Sequence, residues 1–214
     1  MKHAMRLALA AALVLLLAVP ARADMVQSAT KVYPVTPQHR VRVDFPVGSL
    51  HIEANDDSQV RLNLVVRCPT RDGDDCAEVA SKLKLTVTNE DNVLSLKLDK
   101  LPAFAHNVNV EGVLQVPRAL PVHVEMGVGD VRVYDMEGEV DIELGVGDVQ
   151  ARLPDNSVHA VDIEVGVGDA TLRRQGRTLA SRGFIGREVH WDDGAGRSRV
   201  RFHVGVGDGE VRLE

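Results

Sequence analysis

One tetrapeptide, Gly-Val-Gly-Asp, is written four times in this chain. The copies are Gly127-Val128-Gly129-Asp130, Gly145-Val146-Gly147-Asp148, Gly166-Val167-Gly168-Asp169 and Gly205-Val206-Gly207-Asp208. They start 18, 21 and 39 residues apart, and since 39 is close to two units, the spacing predicts one degenerate unit between the third and fourth copies. A period near 20 residues is the signature of stacked repeat units.

The flanks show how a unit is built. Before each copy, apolar residues alternate at Val124 and Met126, Ile142 and Leu144, Ile163 and Val165, Phe202 and Val204. The motif valine continues that inward phase. After the aspartate, the phase resumes one position out of step at Val131 and Val133, Val149 and Ala151, Ala170 and Leu172, Gly209 and Val211. Two alternating strands therefore meet at a Gly-Asp corner. Glycine supplies backbone freedom there, and the aspartate is expected to bond nearby backbone N–H groups in a local turn. A second breaker follows in each unit, at Asp135-Met136-Glu137-Gly138, Pro154-Asp155-Asn156-Ser157 and Arg174-Gln175-Gly176-Arg177.

Such a unit cannot bury its apolar face alone, so copies must stack. The expected fold is all-β, a single-stranded right-handed β-solenoid of stacked ~20-residue coils with a β-rich N-terminal region. An antiparallel β-sandwich of the same short strands is the alternative, because turn signals recur every ~8–12 residues there too. Residues 24–115 hold no exact copy but alternate like strands, at Val41–Phe45, Gly48–Ile52, Val60–Val66, Leu83–Val87 and Val93–Leu98. They read as degenerate coils or a cap, continuous with the repeat solenoid at 116–214. The contour of residues 173–204 stays open.

Residues 1–23 read as a signal peptide. Lys2 and Arg6 precede an apolar run from Leu7 to Val19, and Pro20-Ala21-Arg22-Ala23 ends in a small-x-small cleavage pattern. No second run is long enough to span a bilayer, so the mature chain is expected to carry no membrane span. Beyond the leader, 22 basic residues face 31 acidic ones, a formal charge of −9. Such a chain is repelled by phosphate backbones, and only 3% of the full sequence is aromatic to stack bases, so nucleic acid is excluded as a partner. Cys68 and Cys76 flank a polar, turn-rich stretch and are expected to form a disulfide in an oxidising compartment. A zinc pair would need a second Cys or His pair at ligand spacing, which is absent.

A strand pair opening on Gly48, a variable central stretch, then Val116-Pro117-Arg118-Ala119-Leu120-Pro121-Val122 leads into the Gly-x-Gly-Asp corners. This organisation resembles the bacterial putative-adhesin domains of unknown function, the toast-rack-like repeat proteins, over most of the mature chain. The resemblance implies an exported β-solenoid with an adhesin-like role and no catalytic residues to carry over. The Cys68/Cys76 loop and the wide gap before Gly205 depart from the simplest repeat.

No nucleophile elbow, phosphate loop or His-Glu-x-x-His helix is present. The corners partly match a calcium-binding nonapeptide, but adjacent glycines are missing and the spacing drifts, so a plain structural corner without metal or cofactor is the expectation. The outward residues before each corner are His123 and Glu125, Asp141 and Glu143, Asp162 and Glu164, Arg201 and His203. In consecutive coils Asp141 would lie over Asp162 and Glu143 over Glu164, a carboxylate ledge of unfavourable like charges that could meet a cation or a basic partner. A second outward column, Tyr134, Arg152, Arg173 and Arg212, is mostly basic. His190-Trp191-Asp192-Asp193 with His203 is a weak metal candidate, Trp191 being equally suited to cover an end of the core.

These features favour an exported, non-catalytic, envelope-associated interaction module, periplasmic or at the cell surface, whose partner is an envelope protein or polysaccharide. The alternatives are a carbohydrate-active β-helix enzyme and a calcium-dependent surface-binding module.

Overall fold

Alternating residues become strands where neighbouring segments can cover one face, and they do so along most of the chain. The computed structural model describes residues 25–68, 78, 81–99, 109–181 and 185–214. The expected leader and disulfide lie outside the described residues, which exclude residues 1–24, Cys76 and the side chain of Cys68.

Fifteen strands are described: β1 (Met25–Pro34), β2 (Arg40–Asn55), β3 (Gln59–Cys68), β4 (Lys84–Glu90), β5 (Val93–Asp99), β6 (Asn109–Pro117), β7 (Val122–Tyr134), β8 (Val140–Val146), β9 (Val149–Leu153), β10 (Val158–Val167), β11 (Ala170–Arg174), β12 (Arg177–Ser181), β13 (Arg187–Trp191), β14 (Ser198–Val206) and β15 (Gly209–Leu213). All belong to one mixed sheet that does not close. The corners divide it into two arms. One arm runs β4-β5-β2-β7-β8-β14-β10-β13 through the residues before each corner. The other runs β1-β3-β6-β2-β7-β9-β15-β11-β12 through the residues after it. Strands β2 and β7 pass through their corners unbroken and serve both arms.

The apolar positions on either side of the corners are buried and join one core cluster, from Val41 and Val43 to Val211 and Leu213. Phe202, one of the largest fully buried side chains, and the buried Gly209 come from the same unit. A Cβ on Gly209 would stand 2.7 Å from Ile163 Cγ2, so the missing side chain leaves room for its large neighbours.

Three expectations need correction. The central pairs β2–β7, β7–β8, β8–β14 and β14–β10 are parallel, which removes the antiparallel sandwich; antiparallel pairs lie towards the ends of the arms. The corner units pair within one open mixed sheet, and not in chain order. The fourth corner unit, β14–β15, sits between the second, β8–β9, and the third, β10–β11. Finally, among the described residues the interval between the third and fourth copies adds no further parallel unit. Its strands β12 and β13 run antiparallel to β11 and β10 and end the stack.

Sequence reading also missed a corner. Val47 pairs with Val128, Gly48 with Gly129 and Ser49 with Asp130, so Pro46-Val47-Gly48-Ser49 is a fifth copy in degenerate form. The signal was a Val-Gly pair between two alternating runs, hidden by the proline and serine on either side.

Candidate functional site

The corners form one edge of the molecule, and their identical residues follow from how closely the backbones approach. In the order of the stack, the second corner glycines are Gly48, Gly129, Gly147, Gly207 and Gly168, with φ between 131° and 141°. That region is open only to glycine. A Cβ on Gly207 would stand 1.8 Å from the Gly147 carbonyl oxygen, and one on Gly168 equally close to that of Gly207. Backbone bonds run through the contact: Gly147 N–H donates to Val206 O and Gly207 N–H to Val167 O, each at 2.8 Å.

Two of the corner aspartates act between neighbouring units, and not in the local turns expected from sequence. Asp148 Oδ1 accepts the N–H of Asp208 at 3.0 Å, and Asp208 Oδ1 accepts that of Asp169 at 2.9 Å. Each carboxylate thus satisfies a backbone donor at the bend of its neighbour.

The motif valines point to solvent, the reverse of the expected inward phase. Val47, Val128, Val146, Val206 and Val167 are 40–47% exposed and pair in that order. They form a continuous apolar ridge with roughly 4.8 Å between successive strands. Beside it runs a groove of about 1130 Å³, lined by the first corner glycines and by Asp44, Glu125, Glu143, Glu164 and Glu188 together with His203 and Arg187; Asp44 and Glu125 are paired with Lys97 and Arg42. Asp148, Asp208, Asp169 and Glu210 line a smaller recess of about 360 Å³ together with Arg173. The edge is therefore apolar along its crest and mostly acidic on its flanks.

The coil order settles the predicted charge columns. Asp141 does not lie over Asp162; Arg201 stands between them, paired in register with both. His203 likewise separates Glu143 from Glu164. Arg201 contacts Asp141 at 3.1 Å and Glu139 at 2.8 Å, while His203 contacts Glu164 at 3.1 Å. The unit carrying Arg201 and His203 sits between two units with acidic pairs, so that Asp141 and Asp162 each meet an arginine, while Glu125 still faces Glu143 and Glu164 faces Glu188 in register. On the other arm Arg152, Arg212 and Arg173 are direct neighbours, eased by Glu210 at 3.0 Å from Arg212 and 2.8 Å from Arg173. Tyr134 lies under Arg152, 6.0 Å from ring centre to guanidinium.

At the end strand, the Asp162 carboxylate hydrogen-bonds His190 and raises its pKa above the usual imidazole value, with Asp192 adding to the effect. Asp162 also meets Arg199 at 3.0 Å. His190 and His203 belong to strands on opposite sides of β10 and are engaged by different carboxylates, so they do not converge. Among the described residues no group of three His, Cys, Asp or Glu side chains is placed to hold a metal ion. Trp191 packs against the core, with Arg174 4.8 Å over its ring. Arg174 in turn holds the Asp155 carboxyl below the usual carboxylate range.

The arrangement defines a class: an all-β protein of one open mixed sheet, bent at repeated glycine corners. Within that class a solved structure is similar. A protein described as a "putative cell adhesion protein" from Clostridium sporogenes is 15% identical, with 88% of this chain and 100% of that one covered and a TM-score of 0.52. At that identity the likeness is one of fold. A "putative adhesin" from Bacteroides fragilis is 13% identical over 86% of this chain and 97% of its own, with a TM-score of 0.29. No family model matches the sequence. No curated protein matches it. No described helix is long and apolar enough to cross a membrane.

Proposed function

We propose that this chain is an exported, non-catalytic interaction module of the bacterial cell envelope, a toast-rack-like β-solenoid with re-ordered coils that binds through its corner edge. The observation that carries this reading is the ridge of five exposed valines with mostly acidic flanks. A threonine would satisfy the same strand geometry while remaining soluble, so a repeated apolar side chain facing water suits contact with a partner. The carboxylates recur once per coil and do not converge on one point, whereas catalysis requires a single constellation. An envelope protein or polysaccharide with an apolar and cationic face fits this edge.

The test is cell fractionation of the full chain and of Val128→Ser/Val146→Ser/Val206→Ser. The unaltered protein should leave the cytoplasm, lose its leader and sediment with the envelope. The triple variant should melt at the same temperature and move to the soluble periplasmic fraction. Equal retention of the two, or a cytoplasmic protein that keeps Met1, would reject the reading.

The carboxylates along the groove favour a second reading, a carbohydrate-active enzyme that cleaves a neutral or cationic polysaccharide, because Glu125, Glu143 and Glu164 all line one elongated groove. Reducing-end release from such a polymer, abolished in Glu143→Gln, would support it. We expect no release.

A further inference from the structure

The last coil of the stack is unfinished. Strands β12 and β13 end their respective arms, and neither has a strand partner on its outer side among the described residues. Neither contains proline or a register shift that would blunt the edge. A core-facing position is left uncovered there, since Leu179, paired with the fully buried Leu172, is 48% exposed, and Ile185, in the bend before β13, is 78% exposed.

The charge pattern of the edge is self-complementary. Strand β13 reads Arg187-Glu188-Val189-His190-Trp191. Turned about Val189 and placed antiparallel to itself, it sets Glu188 opposite His190 and Arg187 opposite Trp191, each twice, with Val189 meeting its own copy. An acid–base pair and a cation over an aromatic ring are favourable partners across strands. The same turn relieves a fault inside the single chain, where Glu188 lies beside Glu164 in the pairing with β10. In the paired form His190 of a second copy becomes the neighbour on its other side.

Both edges can obey one symmetry axis. Val189 pairs with Ile163 and Leu179 with Leu172. Ile163 and Leu172 occupy equivalent steps from the corner, each two residues beyond the first buried position, Val165 and Ala170. A single two-fold axis across the sheet therefore passes near both Val189 and Leu179, and extends both arms at once. Because an antiparallel two-fold contact closes on itself, it yields a dimer and not a filament.

We infer that the β12–β13 edge is the docking site for a second copy of this chain, giving an end-to-end dimer with antiparallel β12–β12 and β13–β13 pairs. The experiment is sedimentation velocity of the exported full chain up to about 100 µM, since contacts between short strands fall in the small-interface class. A dimer is expected. Leu179→Lys should retain the melting temperature measured at high dilution and weaken association about tenfold or more, because two lysines then face each other at the centre. Leu179→Cys under mild oxidation should give a dimer whose linked peptides both contain residue 179. A chain monomeric throughout that range would overturn the proposal. So would a dimer indifferent to Leu179→Lys, or a Leu179→Cys protein that forms no link between the two 179 positions.

Discussion

The two edges of this molecule turn the chain in different ways. At the corner edge the turns are near copies of one another. At the opposite edge they share no motif: Asp135 (φ 60°) opens one, Pro154-Asp155-Asn156-Ser157 makes another, and Gln175 (φ 50°) with Gly176 (φ 73°) a third. The difference lies in what each turn touches. At every corner but that of Gly48, which abuts Val110, a Cβ on either glycine would meet first the backbone of the equivalent residue in the neighbouring unit. Any side chain at the second glycine would collide with that backbone, so the tetrapeptide must repeat. On the opposite edge the surroundings differ from turn to turn: a Cβ at Gly176 would meet nothing within 4 Å, whereas one at Gly138 would stand 2.4 Å from Leu120 O and one at Gly196 2.0 Å from Ser157 O. Repetition records one backbone contact that recurs from unit to unit, and variation records turns that share no such contact.

The sharpest way to break that comparison is to load both edges with a side chain. Gly207→Ala puts a methyl 1.8 Å from the Gly147 carbonyl oxygen at a φ of 137°, in the middle of the stack. We expect a loss of about 3–5 kcal/mol or failure to fold, the scale reached when clash and backbone strain combine. Gly176→Asn, at a left-handed position that asparagine tolerates and in open space, should cost less than about 1 kcal/mol. Urea melts of the two proteins decide it, and similar midpoints would refute the crowded-corner account.

The same comparison explains what was legible in the sequence. Local features were readable: the two-residue alternation, the switch of phase at Gly-Asp, and the turn residues of both edges follow from the chain alone. The direction of the motif valine was not, because the inward phase stops two residues earlier, at Met126, Leu144, Val165 and Val204, where the backbone begins to bend. Coil order was the larger omission. It is a tertiary property, and 39 residues between corners suggested a skipped unit when the chain instead forms an antiparallel end coil and returns into the stack. A clue was present: stacking in chain order implied like-charge columns, and Arg201 with His203 was the pair able to separate them.

Charge as a selector of coil order can be tested by reversing it. Arg201→Glu would set three carboxylates, at positions 141, 201 and 162, in adjacent strands, with Glu139 also close. Since Asp141 is 23% exposed and Arg201 38%, water screens part of this repulsion, and we expect about 1–2 kcal/mol of destabilisation. Raising salt should recover part of the loss. A variant as stable as the parent at low salt would show that packing alone orders the coils. The double variant Asp141→Arg/Arg201→Glu should do better than Arg201→Glu, because one opposite-charge contact returns.

The smallest effect lies at the end coil, where no further strand covers the outer side of the charge columns. His190 gains a proton-dependent partner there in Asp162, so its folded pKa is raised above the unfolded value of 6.5. The sign follows directly. Protonated His190 is favoured in the folded chain, so its contribution is fully present below pH 6.5 and fades as the pH rises through the folded value. The imidazole is exposed, so the change in overall stability should be slight, and site-resolved titration is the proper measurement. Proton chemical shifts of His190 should titrate above those of an unstructured histidine, and Asp162→Asn should bring the transition down because it removes the main cause of the shift. Asp192→Asn should move it less, its contact being the longer one at 3.5 Å. A transition at the ordinary value in the parent protein, or one unmoved by Asp162→Asn, would mean that the column breaks before it reaches the last strand.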